Sequence, residues 1–155
     1  MVNIGIANDR NIFYQKYTSD GLWDSQLSKS SWLLFVIASG NELGDLSNIA
    51  DLFIENDGYY ACCAGDQGEM LHDIIDDEIV TRDLRYRYLP AFDIISTWHN
   101  LGIENGLWSA IYTDGDQRVI IDLVVCLDAS REDLEFQLRE LVKRFNDGYV
   151  PPLWI

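Results

Sequence analysis

No lysine or arginine occurs between Lys29 and Arg82. The same stretch holds eleven carboxylates: Glu42, Asp45, Asp51, Glu55, Asp57, Asp66, Glu69, Asp73, Asp76, Asp77 and Glu78. Over the whole chain 26 acidic residues face 11 basic ones, for a net charge of −15. Such a surface repels phosphate backbones and anionic lipid and attracts cations, so nucleic acid and membrane are excluded as partners. Cysteine is scarce. Cys62, Cys63 and Cys126 are odd in number and two are adjacent, which excludes a disulfide scaffold and fits a reducing, cytoplasmic compartment. The opening MVNIGIANDRNIFYQ lacks a basic segment followed by an apolar one, so no secretory signal is expected. No apolar run approaches the roughly 20 residues that cross a bilayer.

Nucleotide-binding signatures are missing as well. There is no G-x-G-x-x-G after a strand, no G-x-x-x-x-G-K-[ST] and no G-x-S-x-G. Gly40, Gly44, Gly65 and Gly68 are too sparse to cradle phosphate and have no basic neighbour, so no cofactor is expected. Adjacent cysteines on a strand point to opposite faces, and no second pair completes a zinc site. No metal is assigned.

What is present is an alternation of strands and helices. Apolar residues make up 48% of the 155, enough for one domain over residues 1–155 with a true core. Residues to about 30 show scattered apolar positions (Ile12, Phe13, Tyr14, Leu22, Trp23) without a sustained period, which leaves an edge strand or a short helix open there. SWLLFVIASG then reads as a strand buried on both faces. Leu43, Leu46, Ile49, Ala50, Phe53 and Ile54 follow at helical spacing, with Asn41 as N-cap and Gly58 as stop. YYACCAGD is a second strand, and Met70, Leu71, Ile74, Ile75 and Ile79 line one face of a second helix. A polar connection carrying Arg82, Arg85 and Arg87 leads to Pro90. AFDIISTWHN is a third strand, and Ile103, Leu107, Ala110 and Ile111 mark a short helix weakened by Gly106. RVIIDLVVCLD is a fourth strand, rich in β-branched residues. Ser130 and Asp133 open the last helix as S-x-x-D, with Leu134, Leu138, Leu141, Val142 and Phe145 on its apolar stripe. The tail Leu153-Trp154-Ile155 is apolar and suited to packing back on the domain.

The expectation is an α/β three-layer sandwich, Rossmann-like or flavodoxin-like, with a mostly parallel sheet of at least four strands. Residues 33–37, 59–64, 93–97 and 119–126 are its neighbouring parallel strands, each mostly buried.

Three short motifs sit on this frame: Ala64-Gly65-Asp66 after the second strand, His72-Asp73 with Asp76 in the next helix, and Thr97-Trp98-His99 closing the third strand. Over about residues 31–128 the chain resembles a small bacterial family of unknown function. In that family an aromatic often precedes the glycine and a cysteine often follows the aspartate. Here Ala64 takes the first place and nothing fills the second. The resemblance implies the fold and no activity.

Ligands of open parallel sheets bind beyond the carboxyl ends of the strands. An acid–base or metal reading there uses Asp66, His99 and Asp128, with His72 and Asp73 nearby. The competing reading makes these residues caps and solvated turns, which so acidic a chain produces by chance. His72-Asp73 is also shared with some phosphohydrolases, but that fold is all-helical and needs more histidines than these two. The functional expectation is therefore an acidic inhibitor or immunity protein that neutralises a toxin with a basic active site. Its partner is a basic protein such as a cognate toxin, met by Asp66, Glu69, Asp73, Asp76, Asp77 and Trp98. Trp108 and Tyr59 are further aromatic anchors, unless they serve core packing. The alternative is a metal-assisted hydrolase or transferase at the carboxyl edge of the sheet.

Overall fold

A computed structural model describes residues 1–21, 27, 31–86, 90 and 92–152. Leu22, Trp23, Arg87 and the tail Leu153-Trp154-Ile155 lie outside the described residues. The described residues form an α/β structure built on a six-stranded mixed sheet, mostly parallel, in the order β1-β2-β6-β3-β4-β5.

The unassigned start of the chain forms a hairpin, β1 (Val2–Ala7) and β2 (Arg10–Lys16), paired antiparallel. Asn8 and Asp9 between them both have positive φ, 51° and 58°. That is the backbone a two-residue primed turn demands, and Asn and Asp tolerate it better than other non-glycine residues. β2 then runs parallel to the last strand, β6. An edge strand is one of the two alternatives the sequence leaves for this segment; the second strand and the pairing are not legible there, because the alternation of β1 is broken by a bulge between Asn3 and Gly5.

The other four strands are β3 (Trp32–Ala38), β4 (Gly58–Ala64), β5 (Ile95–His99) and β6 (Leu123–Ala129). The pairs β3/β4, β4/β5 and β3/β6 are all parallel, as expected. Two boundaries move. β6 begins at Leu123 rather than 119, because its partners start there: Leu33 faces Val124 and Asn11 faces Leu123. Arg118–Ile121 precede any neighbour to pair with, and Ile120 is exposed. β5 is shifted by two residues and only half-buried, being an edge strand.

Side chains of β3 alternate between two apolar clusters on opposite faces of the sheet. Leu33, Phe35 and Ile37 join α3 (Ile103–Tyr112) and α4 (Glu135–Asn146), while Trp32, Leu34, Val36 and Ala38 join α1 (Leu43–Glu55) and α2 (Gly68–Tyr86). Gly106 costs α3 helix propensity, but its position requires it. A Cβ there would sit 2.8 Å from the Phe35 ring, so the glycine sets the close approach of helix to sheet.

Several local assignments are corrected. α2 continues through Tyr86, so Arg82 and Arg85 belong to a helix and not to a connection. Glu42, not Asn41, stands at the α1 N-cap, because the Asn41 amide is committed across the sheet edge. Gly58 opens β4 and does not end α1. Met70 is exposed, and Leu71 and Ile75 carry the buried face of α2. α4 starts at Glu135: the Ser130 hydroxyl is committed to Asp128, while Asp133 accepts from the Glu135 N–H and from Tyr14. Among the described residues no helix is long and apolar enough to cross a membrane.

Candidate functional site

The carboxyl edge of the parallel strands has three parts. The first lies where the chain leaves β3 toward β4 but leaves β6 toward α4 on the opposite face, the position at which open α/β sheets form a ligand crevice. Here the crevice is filled by the protein's own amides. Asn41 Nδ2 donates to the Ala129 carbonyl at 2.7 Å, Gln67 Oε1 accepts from Asn41 N at 2.8 Å, and Gln67 Nε2 donates to the Asn41 carbonyl at 2.9 Å. The Gln67 N–H closes onto the Ala38 carbonyl at 3.0 Å.

The second part is Asp128, within β6 and fully buried. Its carboxylate accepts from Tyr14 Oη (2.8 Å), Ser130 Oγ (2.6 Å), Ser130 N (3.1 Å) and Leu134 N (3.1 Å), and Lys16 Nζ lies 3.2 Å away. Burial pushes its pKa upward, but these hydrogen bonds outweigh burial and leave it below the ordinary 3.8. The residue joins β2, β6 and the start of α4.

The third part is an open cleft of about 320 Å³ between the start of α2, the end of β5 and the start of α3. Gly65, Asp66, Glu69, Trp98, His99, Asn100 and Gly102 line it. Gly65 makes the turn possible: its φ is 86°, and a Cβ would lie 2.3 Å from the Ala38 carbonyl oxygen. That turn places Asp66 and Glu69 on the rim. Among the described residues neither carboxylate has a hydrogen-bond or ion-pair partner. His99 is half-buried, and its Nε2 lies 3.1 Å from Thr97 Oγ1. Burial lowers its pKa from 6.5, so the ring is neutral at pH 7. Trp98 is 46% exposed. Its indole packs against the His72 ring at 4.8 Å between centroids. His72 in turn reaches Asp73 (Nδ1, 3.1 Å) and Asp76 (Nε2, 3.5 Å), and Asp76 also accepts from Ser96 Oγ.

Asp66 and His99 therefore meet in one cleft, and Asp128 does not join them. The register Asp128–Ile37–Ala64–His99 sets three strand spacings, roughly 14 Å, between them on one face of the sheet. Among the described residues no group of three or more His, Cys, Asp or Glu is placed to hold a metal ion. Of the six residues expected to meet a partner, Asp66, Glu69 and Trp98 share the cleft. Asp73 and Asp76 join through His72, and Asp77 is exposed on the same helix. Tyr59 is buried, with its hydroxyl accepting from Asp116 N, and Trp108 is half-buried against Tyr112. Core packing claims both rings.

All eleven carboxylates of the cation-free stretch are exposed or half-buried. Arg82 compensates three of them, a correction that follows from its place in α2. Its guanidinium contacts Asp51 (2.8 Å), Glu55 (3.3 Å) and Glu78 (2.8 Å), tying α1 to α2. The negative surface that remains is centred on the cleft and the first turns of α2. The three cysteines are free and buried. Burial raises all three thiol pKa values, Cys62 to about 12, so none is a thiolate nucleophile.

Sequence reasoning missed the His72–Trp98 contact and the Asn41–Gln67 closure. Both join segments distant in the chain, and only the i,i+4 pair His72 and Asp76 left a local trace.

A family model described as Domain of unknown function (DUF7684) matches residues 12–145. The match is wider than the resemblance over residues 31–128 and likewise assigns no activity. No curated protein and no solved structure matches the chain.

Proposed function

Because the chain belongs to the DUF7684 family, whose function is unknown, membership brings no activity with it, and we propose from its own surface that it is an acidic binding domain. In this reading it is an inhibitor or immunity protein that neutralises a toxin by covering a basic active site. One observation carries the reading: a half-exposed tryptophan, Trp98, stands among Asp66, Glu69, Asp73 and Asp76. Interfaces draw most of their energy from a few aromatic or arginine anchors surrounded by polar contacts that exclude water. Carboxylates that have no lysine or arginine partner among the described residues add long-range attraction, which raises association rates toward a cationic cleft. A toxin acting on an anionic substrate presents such a cleft. The same charge opposes nucleic acid and anionic lipid.

We read the layered arrangement as a Rossmann-like or flavodoxin-like three-layer sandwich, and the free, buried thiols support a reducing, cytoplasmic setting. The alternative of a metal-assisted hydrolase or transferase draws less from the geometry. Asp66 and His99 share a cleft, but the oxygens of Asp128 are already engaged about three strands away. The test is capture of partners from the source cell followed by binding kinetics at low and high salt. The Debye length falls from about 10 Å at 0.1 M to about 3 Å at 1 M, so association with a basic partner slows steeply. Absence of a basic partner, or rates indifferent to salt, would reduce the acidity to a solubility feature.

A further inference from the structure

We propose that the cleft beside Trp98 receives the guanidinium of an arginine side chain, presented by the cationic partner. The inference rests on the binding reading above and deepens it by naming what enters the cleft. Size argues first. A volume of about 320 Å³ lies at the lower end of ligand pockets, which run from about 300 to 1,000 Å³. It has room for one side chain, and the carboxylates on its rim oppose the phosphates of a nucleotide.

Chemistry selects the side chain. Trp98 offers an exposed indole, the ring that attracts cations most strongly. Its contact with His72 fixes the ring without burying it, so little conformational freedom is lost on binding. Asp66 and Glu69 stand at the beginning of α2, where acidic residues also favour the helix dipole. Neither accepts a hydrogen bond from a described backbone N–H, however, so their oxygens are open to donors from outside. His99 is neutral at pH 7 because burial lowers its pKa, and it adds no opposing charge. Arginine fits these features better than lysine. Its planar group stacks on an aromatic face while its fork of N–H donors reaches two carboxylates.

The experiment titrates N-acetyl-arginine methylamide into the full chain and follows the Trp98 indole and the Gly65 and Gly102 amides by NMR. Lysine and citrulline analogues serve as comparisons. The expected result is a saturable shift confined to the cleft for arginine, about tenfold weaker binding for lysine and none for citrulline. Trp98→Leu and the pair Asp66→Asn with Glu69→Gln each weaken arginine binding by about tenfold or more, equivalent to about 1.4 kcal/mol. Unchanged spectra elsewhere show that these variants fold. Equal binding of arginine and citrulline, shifts spread over the acidic helices, or no effect of Trp98→Leu would overturn the assignment. A basic partner that binds Trp98→Leu as tightly as the wild type, still with strong salt dependence, would sink the cleft assignment alone. The loss of salt-dependent partner binding altogether would remove the underlying reading too.

Discussion

Replacing Asp128 by alanine tests whether this buried carboxylate is a structural joint. The substitution strips the acceptor from four hydrogen bonds, donated by Tyr14 Oη, Ser130 Oγ, Ser130 N and Leu134 N. Lys16 loses little. Its side chain is 38% exposed, and its ammonium keeps the backbone carbonyls of Ser130 and Glu132. Tyr14 retains Asp133 at 3.2 Å. The Leu134 N–H bond is buried and has no substitute acceptor, and the turn at Ser130 loses its anchor. A hydrogen bond to a charged group contributes about 1.5–3 kcal/mol, and a buried donor left unpaired costs about 1–3 kcal/mol. The expected loss is about 3–5 kcal/mol, a large share of the 5–15 kcal/mol typical of a domain. Urea unfolding should show a lower midpoint with the slope unchanged.

Tyr14→Phe removes one bond to the charged group and should cost less, about 1.5–3 kcal/mol. The pH dependence has a defined sign. Asp128 has a folded pKa below 3.8, so its contribution is present above that value and is lost as pH falls through the folded one. Asp128→Asn should abolish this acid-linked part. If Asp128→Ala unfolds within about 0.5 kcal/mol of the wild type, the size of a neutral surface change, the joint is not what holds β2, β6 and α4 together.

His99 gives a second pH test. Its folded pKa is lowered from 6.5 by burial, so the unfolded chain binds the proton better and stability falls as pH drops below about 6.5. His99→Gln should flatten the stability difference between about pH 7 and about pH 5 by urea unfolding, and an unchanged slope would assign it to other groups. Gly106→Ala would place a methyl 2.8 Å from the Phe35 ring. About 1–3 kcal/mol of overpacking should outweigh the roughly 1 kcal/mol gained in helix propensity. A higher melting temperature would show that α3 has room to move off the sheet.

Four strands and four helices were legible in the sequence because each buries a continuous or periodic apolar set, as WLLFVIA and LVVCLDA do. The β1/β2 hairpin was not, since an edge strand facing water on one side leaves only Ile4, Ala7, Ile12 and Tyr14 as inward positions. The extent of α2 was hidden for a related reason. Its last turns carry the charged residues Arg82, Asp83 and Arg85, and the pairing of Arg82 with Asp51 and Glu55 of α1 is tertiary. At the candidate site, chain position alone brought Asp66 and His99 to one edge. The strand order inserts β3 and β4 between Asp128 and His99, and no local pattern encodes that order. Trp98 separates from Tyr59 and Trp108 as an exposed ring only once β5 is known to be an edge strand.

The most direct test of the binding account is charge reversal on α2. Asp76 accepts from Ser96 of β5, so reversing it would break a bond between α2 and the sheet. Asp77 is exposed, and Asp73, exposed one turn away, contacts among the described residues only its neighbour His72 on the same helix, so these two are the cleaner pair. The measurement is the association rate of Asp73→Lys with Asp77→Lys against the captured basic partner at low salt, alongside the melting temperature. The account predicts a fall of about tenfold or more in the association rate that high salt erases, with the melting temperature nearly unchanged. An association rate equal to that of the wild type at low salt would contradict it.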